Sequence, residues 1–168
     1  PLSRLNAADG MATPRAQEAY EEFYKTLGGK PVKATLATHW ARLIELLYAA
    51  ERWVELARDP EITSKEVHKI PTETPKEGVG IVEAPRGTLT HHYITDENGM
   101  VQKVNLIVGT TNNNAPISLS IKKAAQGLIK KGTKVTEGIL NMVEMAFRAY
   151  DPCLSCATHS IPGRITLI

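Results

Sequence analysis

Between Leu36 and Ala57, apolar side chains recur alternately four and three residues apart, at Leu36, Trp40, Leu43, Leu47, Ala50, Val54 and Ala57. Only an α-helix brings positions so spaced onto one side. The chain is therefore expected to be built on one long helix with a continuous buried stripe. Arg42, Glu45, Glu51, Arg52 and Glu55 interrupt the same stretch, and a bilayer core does not accept such charges without partners. No membrane span is expected. Asp59-Pro60 ends the helix, because proline disfavours helical backbone in the residue before it.

The flanking segments can be read by the same rules. Thr13 before Pro14 predicts an N-cap and a first-turn proline, with Ala16, Ala19, Tyr20, Phe23 and Leu27 on one face and Gly28-Gly29 as the stop. Leu2 to Met11 carries Asp9-Gly10 and little periodicity. The polar run from Glu61 to Glu77 reads as a connector. From Val79 the period changes: Val79 to Val82 forms a short strand, and Thr88 to Thr95 and Met100 to Val108 flank Asp96-Glu97-Asn98-Gly99, a hairpin signal. Thr110 to Asn114 reads as a loop. Pro116 then starts a helix with Ile117, Ile121, Ala124 and Leu128 on its apolar face, capped by Gly132, and a last helix runs from about Thr136 to Tyr150 on Ile139, Val143, Phe147 and Tyr150. The fold class expected is α+β, mainly α: about four helices with a small antiparallel hairpin or sheet.

A chain of 168 residues suffices for one core, and 42% hydrophobic with 23% charged is a globular balance. The net charge of +2 demands neither nucleic acid nor an anionic membrane. Lys122, Lys123, Lys130, Lys131 and Lys134 cluster without interleaved aromatics, as on a solvated helix face. No secretory signal opens the chain, so a cytoplasmic location is the default. The first residue is Pro1 and not methionine, which suggests a fragment or a processed piece.

The two cysteines, Cys153 and Cys156, are too few for a disulfide framework. They stand just past Asp151-Pro152, which breaks the last helix. Two thiols at this spacing serve zinc, iron-sulfur, redox or nickel sites equally well. Against a zinc ribbon, no second C-x-x-C or Cys/His pair lies at finger-like spacing, and His159 is the one nearby imidazole. Against thiol exchange, the pair follows a helix and does not begin one. A small thiolate and histidine module for metal binding or redox work remains the alternative function. His91 and His92 are adjacent in a strand and point to opposite faces, so both are read as structural. His39 and Trp40, inside the long helix, are read as core.

Two strings carry more than spacing. Asp151-Pro152-Cys153-Leu154-Ser155-Cys156-Ala157-Thr158-His159 resembles the C-terminal signature of nickel-iron hydrogenase large subunits, and Glu83-Ala84-Pro85-Arg86-Gly87-Thr88-Leu89-Thr90-His91-His92-Tyr93 resembles their proline-arginine-glycine motif. The likeness runs from the Arg4-Leu5-Asn6 region through His159. It is closest to the soluble group that reduces the deazaflavin cofactor F420 or viologen dyes, found in methanogens, which the Thr110-Thr111-Asn112-Asn113 loop also fits.

The resemblance implies that residues 1–159 are the C-terminal portion of a catalytic subunit that splits hydrogen reversibly and heterolytically. It implies a nickel-iron centre whose iron binds carbon monoxide and cyanide. Cys153 would be a terminal nickel ligand able to accept a proton, and Cys156 would bridge the two metals. Arg86 would donate to one cyanide and Thr110 would meet the other, with Asp151 holding the Arg86 guanidinium. His159 would ligate a separate magnesium or iron ion. Residues 160–168 would be a maturation tail removed by an endopeptidase after nickel-insertion proteins have acted. The implied partners are the N-terminal part of the subunit with the other cysteine pair, an iron-sulfur small subunit, and flavin/F420 or heterodisulfide-reductase electron-transfer subunits. The chain alone is expected to be nickel-free and inactive.

Overall fold

The long helix, α3, spans Ala37–Ala57 and is preceded by α1 (Leu2–Ala7) and α2 (Pro14–Thr26); a 3-10 turn, Pro60–Thr63, follows it. These elements belong to the first of two units in a computed structural model that describes residues 1–157, Pro1–Thr74; the second begins at Pro75. Among the described residues no helix is long and apolar enough to cross a membrane.

In the first unit Leu5, Tyr20, Phe23, Tyr24, Val32, Ala37, Ala41 and Ile44 form the core. Phe23 is fully buried and meets Tyr24 and Trp40 edge-on, with ring centroids 5.0 and 5.2 Å away. The stripe of α3 that the spacing selects is only partly the buried one. Ala37, Ala41 and Ile44 face the core, while Leu36, Leu43 and Val54 are 54%, 62% and 51% exposed. The helix is apolar over a wide arc, so its period cannot choose between neighbouring stripes, and the small side chains Ala37 and Ala41 permit the closest approach. His39, expected in the core, is exposed beside Arg42, because 100° of rotation separates it from Trp40.

Leu2–Ala7 is helical although its own pattern is weak. Tertiary contacts supply what periodicity does not: Leu5 is 2% exposed, and Arg4 grips Glu45 of α3 through two 2.7 Å bonds. Asn6 donates to the Val32 carbonyl and accepts from the Val32 amide and the Tyr24 hydroxyl, tying the loop after α2 to α1. Burial pushes the Tyr24 phenol up to about 12, so it stays a neutral donor. At Gly28 and Gly29 φ is +85° and +103°, where a side chain would be strained, and α2 stops there.

Thr13 takes the N-cap position of α2, but its hydroxyl does not cap. It donates to Glu51 of α3, and the same carboxylate accepts from the Arg15 and Ala16 amides at 3.2 and 3.0 Å. Glu51 thus caps α2 from a neighbouring helix.

The second unit opens with three antiparallel strands in the order β1-β2-β3: Glu77–Ala84, Gly87–Thr95 and Val101–Ile107. The β2–β3 turn is where Asn98-Gly99 places it, with Gly99 at φ +78° and the Asp96 carboxylate accepting from the Asn98 and Met100 amides. The Met100 amide, then Asn98, holds the Asp96 carboxyl below the usual carboxylate range. After β3 come α4 (Gly109–Asn112), α5 (Asn114–Leu128), α6 (Glu137–Arg148) and α7 (Leu154–Ala157).

The segment expected as a loop, Thr110 to Asn114, is therefore mostly helical. Pro116 is tolerated at the third position of α5 because the first amides of a helix have no intrahelical acceptor. Ile117, Ile121, Ala124 and Leu128 are the more covered side of α5, and Ile139, Val143 and Phe147 that of α6, as the spacing predicts. These two helices pack on each other, and Ser120 Oγ lies 2.9 Å from the Tyr150 hydroxyl. Gly132 does not cap α5, which ends at Leu128; it sits at φ +86° in the turn closed by the Thr133 amide on the Lys130 carbonyl. The main elements are the expected mainly helical α+β set, with α1, α4 and α7 added as short turns.

Two outcomes test the first unit. Phe23→Ala should lower the unfolding free energy by roughly 3–5 kcal/mol, read from urea titrations, because the ring leaves a cavity between α2 and α3. The Thr13 hydroxyl, then the Arg15 and Ala16 amides and the Arg15 charge, hold Glu51 below its usual value against an opposing effect of burial. A lowered folded pKa stabilises the fold above the unfolded carboxyl value, and that contribution is lost as pH falls through the folded value. The urea midpoint of Glu51→Gln should therefore lie below wild type at neutral pH, and the gap should close on acidification.

Candidate functional site

Pro85 and Arg86 form the connection between β1 and β2, with Ala84 and Gly87 paired across it. Proline presets the turn. Gly87, at φ +146°, lies against the start of α4: a Cβ on it would stand 2.9 Å from the Gly109 carbonyl oxygen, and a Cβ on Gly109 would stand 3.1 Å from the Gly87 nitrogen. Two glycines are thus required for these backbones to touch.

That contact puts α4 beneath the arginine turn. Asn112 Nδ2 donates to the Thr88 carbonyl at 2.9 Å, and Asn113 Nδ2 donates to the Arg86 carbonyl at 2.5 Å. Thr110, 1% exposed, accepts from the Cys153 amide through Oγ1 at 3.2 Å. One helical turn therefore holds both the arginine turn and the cysteine turn.

The cysteine turn follows α6. Asp151 has φ +50°, and its carboxylate accepts from Arg86 Nε at 3.0 Å. Both side chains are 42% exposed. An ion pair so open to solvent is worth about 0–1 kcal/mol, so it orients the guanidinium more than it stabilises the fold. Cys153 is the residue from which α7 begins: its carbonyl accepts from the Ala157 amide at 3.0 Å and its sulfur from the Cys156 amide at 3.4 Å. The pair does begin a helical turn, contrary to the expectation that it merely follows one. Pro152, which lacks an amide hydrogen, follows the end of α6 at Arg148 and lies two residues before α7 begins at Leu154. Cys153 and Cys156 are half-buried, with Cα atoms 5.3 Å apart and sulfurs in contact as a disulfide.

Of the sequence-expected site residues, Arg86, Thr110, Asp151, Cys153 and Cys156 come together from three segments. His159 and the 160–168 tail lie outside the described residues. His91 contacts the Tyr93 hydroxyl and His92 contacts Glu77, on opposite faces of β2, so they form no joint site. The five lysines of the basic cluster are exposed. Among the described residues no group of three or more His, Cys, Asp or Glu could hold a metal. Once reduced, the two sulfurs would be a soft donor pair at one point, half of what a tetrahedral or square thiolate site needs. Reading by pattern missed Asn112, Asn113, Gly87 and Gly109, since a Thr-Thr-Asn-Asn-Asn run reads as loop chemistry.

Comparison with known proteins shows the family of the chain. The nickel-dependent hydrogenase family matches residues 1–159, and the chain belongs to that family. An F420-non-reducing hydrogenase iron-sulfur subunit from Archaeoglobus profundus is 54% identical over 167 residues, which is 99% of this chain and 34% of that protein. The NAD-reducing hydrogenase HoxS subunit beta of Cupriavidus necator is 44% identical over 100% of this chain and 35% of its own length. Among solved structures, an NAD+-reducing NiFe-hydrogenase in its H2-reduced state matches with a TM-score of 0.86 and 41% identity, over 95% of this chain and 35% of that one. The chain spans about a third of the length of these relatives.

The Gly87–Gly109 contact gives a direct test. Gly87→Ala should cost about 1–3 kcal/mol in unfolding free energy from its backbone conformation, and more from the clash with Gly109. Gly80→Ala, whose added Cβ meets nothing within 4 Å, should leave the urea midpoint close to wild type.

Proposed function

We propose that this chain carries the C-terminal pair of metal-binding thiolates of a nickel-iron hydrogenase large subunit, and that the parent enzyme interconverts hydrogen with protons and electrons. The observation that carries the reading is the convergence of Arg86, Thr110, Asp151 and the Cys153-x-x-Cys156 turn around α4. The family match and the retention of both motifs support it.

Cys153 and Cys156, both reduced to thiolates, would hold the nickel-iron centre together with a second cysteine pair from the N-terminal part of the subunit. When bound there, the centre supplies the electrophilic metals that polarise hydrogen and take up its electrons. Both sulfurs would be ligands of that centre, with Cys153 on the nickel. The Cys153 sulfur, at the start of α7 with the Cys156 amide donating to it, is the protein atom that receives the proton of heterolytic cleavage. Arg86 presents the planar fork whose Nε is held by Asp151, and among the described residues its outer N–H groups have no acceptor. They suit an iron-bound cyanide. The Thr110 hydroxyl accepts from the Cys153 amide and would keep its own proton for a second cyanide of a centre whose iron would also carry carbon monoxide.

His159 is proposed to hold a magnesium or iron ion and to become the C-terminus once an endopeptidase removes residues 160–168, after nickel-insertion proteins have loaded the site. Electrons pass to an iron-sulfur small subunit, then to flavin/F420 or heterodisulfide-reductase subunits in the cytoplasm. Alone, with one thiolate pair, the chain is inactive.

In the assembled parent enzyme, Cys153→Ser and Cys156→Ser should each abolish nickel retention and hydrogen-dependent viologen reduction. Arg86→Lys should keep its nickel and lose about 10- to 100-fold in rate, because an ammonium cannot serve Asp151 and a second acceptor in one plane. Dye reduction at wild-type rate by either cysteine variant would overturn the reading. Mass spectrometry of the nickel-loaded protein should find the chain ending at His159.

A further inference from the structure

The asparagines of α4 and its exit lie outside the roles assigned so far. Asn113 donates to the backbone carbonyl of Arg86, and Asn112 to that of Thr88, so the two carboxamides bracket Gly87 on the turn that carries the guanidinium. Three residues before Asn113, and linked to it by the Asn113 amide on the Thr110 carbonyl, Thr110 accepts from the Cys153 amide. The Asn113 carbonyl accepts in turn from Ile117, in the first turn of α5. Asn113 is thus tied to α5, to the Thr110 that holds the cysteine turn, and to the arginine turn.

The direct link between the two turns, Arg86 to Asp151, is 42% exposed on both sides and too weak to fix their geometry by itself. A backbone carbonyl has a fixed position in its turn, so a donor held on it sets the direction in which the Arg86 side chain leaves. Asparagine suits the place because its amide reaches across without adding charge beside a guanidinium.

We infer that Asn113 is a positioning residue for Arg86, fixing the guanidinium relative to the Cys153 thiolate through the Arg86 carbonyl, with Asn112 steadying the same turn at Thr88. The inference rests on the hydrogenase reading above. It predicts that loss of the Asn113 donor leaves the metals in place but misaligns the cation that faces the iron ligands.

The test uses the nickel-loaded, fully assembled enzyme. Asn113→Ala and Asn113→Gln are compared with Cys153→Ser and with Asn98→Ala in the β2–β3 turn. Nickel content, melting temperature, viologen-reduction rate and the infrared bands of the iron-bound cyanides are read for each. Asn113→Ala should keep wild-type nickel content, lose about ten-fold in rate, and shift the cyanide bands in the direction that Arg86→Lys shifts them. Asn113→Gln, which keeps a carboxamide donor, should recover part of the rate and of the band positions. Asn98→Ala should match wild type in rate and bands.

Wild-type rate and bands in Asn113→Ala would overturn the inference. So would a fall in nickel content or melting temperature that accounts for the whole loss of rate, since the residue would then be merely structural. The two readings fail separately. A Cys153→Ser enzyme that keeps nickel and rate sinks the hydrogenase assignment, whereas a dead Cys153→Ser enzyme beside a wild-type Asn113→Ala enzyme sinks the positioning role alone.

Discussion

The backbone contact between Gly87 and Gly109 is the constraint on which the second unit's candidate site depends. Neither residue could carry a Cβ without pressing on the other's main chain. Because they touch, α4 lies close enough for two short amide side chains to reach carbonyls of the arginine turn. Thr110, buried in that same turn of helix, reaches the cysteine turn. The site is assembled from main-chain atoms first, and its chemical groups are then carried on backbone that has little freedom.

Such a construction suits the proposed chemistry. A thiolate pair and a guanidinium can act on one centre only if their separation is held to a fraction of an ångström, and exposed ion pairs do not supply that. Hydrogen bonds to main-chain atoms do, because each fixes a turn and not just a flexible side chain. The Asp151 carboxylate, itself on backbone at φ +50°, then selects the orientation of the Arg86 fork.

The first unit uses the same economy of polar contacts around a small core. Glu51 reaches from α3 to cap α2, Glu45 receives Arg4 of α1, and Asn6 stitches the loop at Val32 to the helices. Each replaces a local solution with a long-range one. Thr13 could have capped its own helix, yet its hydroxyl donates to the carboxylate that does the capping, so a change at Glu51 affects α2 and α3 together.

Periodicity and turn chemistry alone determined α2, α3, α5, α6 and the β2–β3 hairpin, since these signals act between residues a few positions apart. The two motif strings likewise identified the family before any contact was known. The tertiary structure decided the rest. The short helices α1 and α4 are too brief to nucleate by themselves and exist through Leu5, Arg4, Gly109 and Thr110. It chose Ala37, Ala41 and Ile44 over the more conspicuous Leu43 and Val54, and it made Cys153 the start of a helical turn. At the site the decisive bonds join residues 27, 43 and 65 positions apart. Local pattern holds no record of such pairings, because they follow from which backbones can approach, and that is settled only when the sheet and the helical turn meet.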